Sequence, residues 1–226
     1  MLLETKQKLR RVTLPLARLL ARMGVSPDSL TVTGLVLIAL SAASLALGEP
    51  RLALLLLLLG LLCDLLDGDV ARLRGGGGSF GAFLDSTVDR ISDALIFTGL
   101  LLGEAMDGGA LGAFWILAWA LTVTGGFLVS YTRARAEGLG LTCRIGIADR
   151  GLRMAIVVAM VLLGSRAWAP GFVVLSVLSW ITVGQRIRHV RRLTAGRPRP
   201  AHGLPQDAPP ADRTENDRYP LAVHSK

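Results

Sequence analysis

The sequence predicts an all-α integral membrane protein of six transmembrane helices, preceded by an amphipathic helix lying on the membrane surface. Three observations carry this reading. Hydrophobic residues make up 51% of the chain and the mean hydropathy is +0.50, too apolar for an ordinary soluble domain. Six apolar stretches, about 30–47, 52–73, 83–102, 111–131, 152–165 and 172–188, approach or reach the length that crosses a bilayer. Lys and Arg outnumber Asp and Glu by 25 to 17, and they gather between alternate stretches.

The elements follow in order. Residues 2–23 repeat apolar side chains at helical spacing with Lys and Arg between them, as in a helix lying on anionic headgroups, and Pro15 is placed to kink it. The segment lacks the uninterrupted apolar core and cleavage site of a signal peptide. Six Lys or Arg precede the first span, Arg72 and Arg74 sit near the second loop, five lie from Arg133 to Arg153, and more follow the last. The opposite loops hold only Arg51 and Arg166. The positive-inside rule then puts both termini, and the charged ends of the second and third spans, in the cytoplasm of a multi-pass inner-membrane protein. Residues 1–23 thus form the interfacial helix, 24–193 the membrane domain, and 194–226 a tail of Pro, Arg, Asp, Ala and His that is expected to be disordered. No separate soluble domain and no nucleic-acid partner is expected.

The second and third spans contain Asp64-Leu-Leu-Asp67-Gly68-Asp-Val-Ala71-Arg72, eight further residues, then Gly81-x-x-x-Asp85-x-x-x-Asp89. A charged side chain at mid-bilayer costs about 2.5–3.5 kcal/mol on insertion scales, and nothing structural requires that expense. Spacings of i,i+3 and i,i+4 point Asp64 with Asp67, and Asp85 with Asp89, from one face of each helix. Two such helices facing each other bring four carboxylates together, which cations must neutralise. Oxygen ligands alone suit Mg²⁺ or Mn²⁺, and four acids suffice for two ions, the arrangement of phosphoryl-transfer sites. Gly68 and Gly81, each one turn from an acid, leave room for a close-packed helix or a bulky ligand.

The whole pattern, D-x-x-D-G-x-x-A-R-x8-G-x-x-x-D-x-x-x-D, resembles the signature of the CDP-alcohol phosphatidyltransferase family, with every defined position filled. Beyond it, the run Cys63 to Gly81, Asp85 to Asp93, Ser130 to Glu137, and Gln185-Arg186 look like the phosphatidylinositol phosphate synthases of actinobacteria. The resemblance implies a six-helix homodimer that transfers a phosphatidyl group from CDP-diacylglycerol to inositol 1-phosphate with loss of CMP. It assigns Asp64, Asp67, Asp85 and Asp89 to the metals, and makes Asp89 the candidate catalytic base as well. It places Gly68 and Arg72 on the nucleotide diphosphate, Asp28, Ser29, Leu30 and Thr31 at the cytidine end, and Gly78 with Ser79 beside the nucleotide. Arg133, Arg153 and Arg186 match the residues that bind the acceptor phosphate. From sequence pattern alone Asp28 reads equally well as a helix N-cap after Pro27. The chain departs from these synthases at Arg133, typically Lys, at Leu152, where a second acid is expected, and at Gly78, where a Thr is frequent.

Simpler readings cover the other notable residues. Asp93 is expected to pair with Arg90 three residues earlier, and Asp69 to face the headgroups. Trp115, Trp119, Trp168 and Trp180 are expected to pack between helices or at the membrane interface. Cys63 and Cys143 are given no role. Two rival functions are a phosphatidylglycerophosphate synthase, which needs the same metals and a phosphate pocket, and a divalent-cation transporter, for which the Gly-Ala-Arg pattern is surplus.

Overall fold

The computed structural model describes residues 13–76, 78–106 and 112–195, and among these residues all regular structure is helical. Helix α1 covers 13–22; α2 is Pro27–Ala46, α3 Pro50–Leu73, α4 Ser79–Met106, α5 Ala113–Glu137, α6 Arg150–Leu163 and α7 Trp168–Thr194, with a 3₁₀ turn at Ser165–Ala167. The six helices α2–α7 lie on the six apolar stretches, displaced by a few residues at their ends. Pro27–Ala46, Ala113–Glu137 and Ser165–Thr194 are each long and apolar enough to cross a membrane. Helices α3 and α4 carry the charged motif inside them, and the 14 residues of α6 fall short of the roughly 20 that a crossing requires.

Local chemistry sets the boundaries. The Ser26 hydroxyl accepts a hydrogen bond from the Ser29 N–H at 3.1 Å, and Pro27 occupies the first turn of α2, where no intrahelical donor is needed. Ser26, not Asp28, is therefore the N-cap. Gly48, at φ +77°, reverses the chain after α2 while the Glu49 N–H returns to the Ser44 carbonyl at 2.8 Å. Asp149 caps α6 by accepting from the Leu152 N–H at 2.9 Å.

Helices α2, α3 and α4 pack without room for larger side chains at their crossings. A Cβ on Gly34 would lie 3.2 Å from the Gly60 carbonyl, and one on Gly99 would lie 2.6 Å from the Ala42 backbone. Small residues at crossings let backbones approach, the usual solution where lipid supplies no hydrophobic drive between helices. Internal hydrogen bonds add to it: Ser41 donates to the Ala53 carbonyl at 2.7 Å, and the Thr122 and Ser176 hydroxyls meet at 2.8 Å between α5 and α7. Ile38, Leu57, Phe97, Ala118, Val157 and Phe172 join all six long helices in one core. Outward faces stay apolar, with Val32 and Val36 on α2 and Val173 and Val177 on α7 exposed, as lipid contact requires.

The four tryptophans follow expectation in part. Trp168 is buried with its indole N–H on the Met160 carbonyl at 3.1 Å, and Trp115 and Trp119 pack against the core. Trp180 is partly exposed and donates to the Leu121 carbonyl at 3.2 Å. Helix α1 packs Ala17 against Leu30, Leu66 and Val70. The part of the amphipathic helix before residue 13, and the tail after residue 195, lie outside the described residues. The chain divides into a unit of Met1–Leu193 and a second of Thr194–Lys226.

Candidate active site

One carboxylate oxygen from each of Asp64, Asp67 and Asp85 lies within 4.8 Å of the others, so α3 and α4 meet at three of the four expected acids, and Asp89 is not part of that group. The Thr31 hydroxyl donates to Asp67 Oδ2 at 2.6 Å and fixes the carboxylate of this buried residue. Among the described residues neither Asp67 nor Asp85 makes an ion pair. Three converging carboxylates, two of them without a basic partner, form an all-oxygen donor set that fits a hard divalent cation.

Asp89 is held differently. Its Oδ1 lies 2.9 Å from Nη1 of Arg150, and the same nitrogen is 2.7 Å from both oxygens of Asp64. Arg150 sits in the first turn of α6, and its Nε is 3.7 Å from Asp93 Oδ1. Asp93 does not pair with Arg90 as expected. Its Oδ2 takes a 2.7 Å bond from Nη2 of Arg153, while the Arg90 guanidinium donates to the Ser86 carbonyl and lies 3.7 Å from Asp89. Helical spacing points only to Arg90; the buried face that α4 turns toward α6 selects Arg153, 60 residues on.

A cleft of about 520 Å³ opens beside the acids, lined by Asp28, Thr31, Asp67, Gly68, Gly78 and Gly81 among others. A Cβ on Gly81 would stand 3.3 Å from Asp28 Oδ1, so the glycine clears that wall. Of the eight residues expected at the nucleotide, four line this cleft, Asp28, Thr31, Gly68 and Gly78, and Arg72 does not. Leu30 is instead buried against Ala17, Leu66 and Val70, and the Ser29 hydroxyl turns back to the Ser26 carbonyl at 2.7 Å. Ser79 opens α4 and is not among the residues lining the cleft, where Gly78 and Phe80 stand.

Arg72 is placed from an unexpected side. Asp69 is buried, not turned to the headgroups; it accepts from Arg72 Nη2 at 2.7 Å and from the Thr13 hydroxyl of α1 at 2.7 Å. That fixes the guanidinium over Gly68, where a Cβ would come within 3.5 Å of it.

On the far side of Asp89 a cavity of about 150 Å³ is lined by Arg90, Arg133, Arg150, Arg153 and Arg186, together with Asp89, Asp93 and Asp149. Arg153 is buried between Asp93 and the Ala148 carbonyl, 3.2 Å away. Arg186 donates through Nε to the Ile145 carbonyl at 2.9 Å and through Nη1 to the Val129 carbonyl. Arg133 is half-exposed and paired with Glu137 at 2.8 Å. All three arginines expected at the acceptor phosphate therefore border one cavity that Asp89 also borders. A wider groove of about 800 Å³ between α4 and α5 shares Asp85, Asp89, Arg90 and Arg133 with these sites.

Sequence reasoning missed Arg150, Asp69, Asp93 and Thr13 as parts of this arrangement. One signal was present: Arg150 and Arg153 stand three apart at a helix start, which puts them on one face.

An archaetidylinositol phosphate synthase of Pyrococcus horikoshii is 37% identical over 190 residues, covering 84% of this chain and 94% of its own. A crystal structure of Mycobacterium tuberculosis phosphatidylinositol phosphate synthase with CDP-DAG bound superposes at a TM-score of 0.72 and 35% identity, over 80% of this chain and 94% of that one. A second structure of that enzyme, in complex with manganese and citrate, matches with a TM-score of 0.72 and 35% identity over 79% and 88% of the two chains. The pattern of the CDP-alcohol phosphatidyltransferases covers residues 24–183, and with the acids, the cleft and the arginine cavity in place, the chain belongs to the CDP-alcohol phosphatidyltransferase family.

Proposed function

We propose that this multi-pass membrane enzyme transfers the phosphatidyl group of CDP-diacylglycerol to inositol 1-phosphate, releasing CMP and leaving phosphatidylinositol phosphate in the bilayer. The observation that carries the reading is the cavity shared by Asp89 with Arg133, Arg153 and Arg186, beside the acids and opposite the nucleotide cleft. A phosphorylated alcohol needs fixed guanidinium groups next to the reacting centre but not on the metals, and this cavity supplies them. The related synthases are named for inositol phosphate as well.

Asp64, Asp67, Asp85 and Asp89 would hold two divalent ions, Mg²⁺ or Mn²⁺. Bound there, such ions supply the positive charge that neutralises a diphosphate and the departing phosphate. The protein's own groups do the rest. Asp28, Thr31, Gly68 and Gly78 receive the nucleotide in the cleft, and Arg72, steadied by Asp69, grips the diphosphate. The three arginines hold the acceptor phosphate so that an inositol hydroxyl faces the phosphorus carrying diacylglycerol. As that oxygen bonds to phosphorus, its proton passes to Asp89 and the bridging bond to CMP breaks. The motif offers no covalent nucleophile besides its acids, so the transfer is a direct displacement.

Membrane placement belongs to the same reading. Helices α2–α7 form the membrane domain, with α6 too short to cross the bilayer by itself, and α1 lies at the cytoplasmic surface with Leu16 and Leu19 exposed toward lipid. Both termini and the site face the cytoplasm, following the Lys and Arg asymmetry. The homodimer is the family's expectation.

The test is CMP release from CDP-diacylglycerol by the purified protein with Mn²⁺, offered in turn inositol 1-phosphate, glycerol 3-phosphate, free inositol and serine. Turnover confined to inositol 1-phosphate is the expected result. Turnover with glycerol 3-phosphate alone would keep the metal chemistry and overturn the acceptor assignment. An ether-lipid donor in the same assay decides whether the archaetidyl lipid of the Pyrococcus relative is also accepted.

A further inference from the structure

Arg150 belongs to none of the motif positions, yet it touches the acids of both α3 and α4. Its Nη1 hydrogen-bonds both oxygens of Asp64 at 2.7 Å, while its 2.9 Å contact with Asp89 Oδ1 is an ion pair whose alignment leaves that buried oxygen without a hydrogen bond. A further pair is incomplete beside it. Arg150 Nε and Asp93 Oδ1 are both buried without hydrogen-bond partners, and they lie 3.7 Å apart. The guanidinium thus occupies one seat, between Asp64 and Asp89, and stands a short shift from a second seat, on Asp93.

Two features make the first seat exchangeable. Arg150 and its two partner carboxylates each keep about a fifth to a third of their side-chain surface exposed, 21% for the arginine, 29% for Asp64 and 19% for Asp89, so hydration softens the loss of the pairs. The competing cation also meets the same carboxylates with more charge. A divalent cation bound by the same carboxylates replaces one positive charge with two, and the arginine can then satisfy the orphaned Asp93 oxygen. That move keeps its charge in the cavity already lined by Arg133, Arg153 and Arg186.

We infer that Arg150 is a resident counter-charge for Asp64 and Asp89 that metal displaces toward Asp93, so that filling the metal site releases from those two acids a cation that already lines the acceptor pocket. The inference rests on the assignment of Asp64 and Asp89 as metal ligands. Arg150 is then a positioning residue, which keeps the acids together before metal arrives and strengthens the phosphate pocket afterwards.

The experiment is a Mn²⁺ titration of the purified protein followed by the electron paramagnetic resonance signal of free Mn²⁺, with thermal unfolding measured in chelator. Arg150→Gln removes the competitor and is expected to bind Mn²⁺ on the order of fivefold more tightly than wild type, as loss of a partly exposed ion pair implies. It is also expected to unfold at a lower temperature in chelator. Arg150→Lys keeps the charge but cannot span two carboxylates, and should fall between the two; it serves if the Gln variant does not fold. Arg153→Gln removes an equal charge from the same cavity without freeing Asp64 or Asp89. If it tightens Mn²⁺ as much as Arg150→Gln, the effect is long-range charge alone and the displacement is wrong. Unchanged or weaker Mn²⁺ binding by both Arg150 variants overturns it too. Wild-type protein that binds no Mn²⁺, or whose binding survives Asp64→Asn, would sink the metal assignment itself, and the inference with it.

Discussion

Thr31 on α2 donates its hydroxyl proton to Asp67 on α3 at 2.6 Å, in a buried position, and both residues line the proposed nucleotide cleft. The same hydroxyl lies 3.2 Å from the Pro27 carbonyl, so the threonine ties the start of α2 to a candidate metal ligand. Thr31→Val keeps the shape and removes the donor. It is expected to lower Mn²⁺ affinity roughly tenfold or more, the usual effect of losing a group that orients a ligand. Thr31→Ser should retain near wild-type binding. Isothermal titration of the three proteins with Mn²⁺ checks this; equal affinities would show that the hydrogen bond does not orient Asp67.

The ion pair of Arg153 with Asp93 is almost fully enclosed, the side chains being 3% and 8% exposed. Removing one member of such a pair strands the other charge at a cost of about 3–5 kcal/mol. Asp93→Asn is therefore expected to reduce thermal stability and to raise KM for inositol 1-phosphate by roughly tenfold or more, the guanidinium having lost its charged partner. KM for CDP-diacylglycerol should hardly move. A parallel rise in both KM values would mean that Asp93 supports the fold generally and not the acceptor pocket.

Asp69 predicts the mirror image. It holds Arg72 over Gly68 and also receives the Thr13 hydroxyl, so α1 and the proposed nucleotide site share one buried carboxylate. Asp69→Asn should raise KM for CDP-diacylglycerol severalfold and leave the acceptor KM near wild type. Thr13→Val should do the same to a smaller degree, by about the 0.5–1.5 kcal/mol of one hydrogen bond. Steady-state kinetics with each substrate varied in turn reads both. A variant that shifts only the acceptor KM contradicts the placement of Arg72.

These contacts mark the boundary of what the sequence made legible. The acids were readable because helical periodicity places i,i+3 and i,i+4 residues on one face, and an apolar context makes every charge conspicuous. The helices were readable for the same reason, from runs of apolar residues bounded by Gly, Pro and Arg. The sequence left Asp28 open as an N-cap, but a Ser directly before Pro27 is the stronger signal, since Pro favours the first helical position. The partners of Asp93 and Asp69 were hidden for another reason. Each has a local basic residue three positions away, and only one uses it: Asp69 takes Arg72, whereas Asp93 takes an arginine 60 residues on. Arg150 meets Asp64 across 86 residues, a choice made by the packing of α6 that no local pattern encodes.

The most direct measurement is a one-pot competition. Protein in vesicles containing CDP-diacylglycerol and Mn²⁺ receives inositol 1-phosphate and glycerol 3-phosphate at equal concentration, and mass spectrometry identifies the product lipids, with Asp89→Asn as the control. The predicted result is phosphatidylinositol phosphate as the dominant product and its near-complete loss in the control. A dominant phosphatidylglycerophosphate product would contradict the acceptor pocket, and undiminished turnover by Asp89→Asn would contradict the role given to that carboxylate.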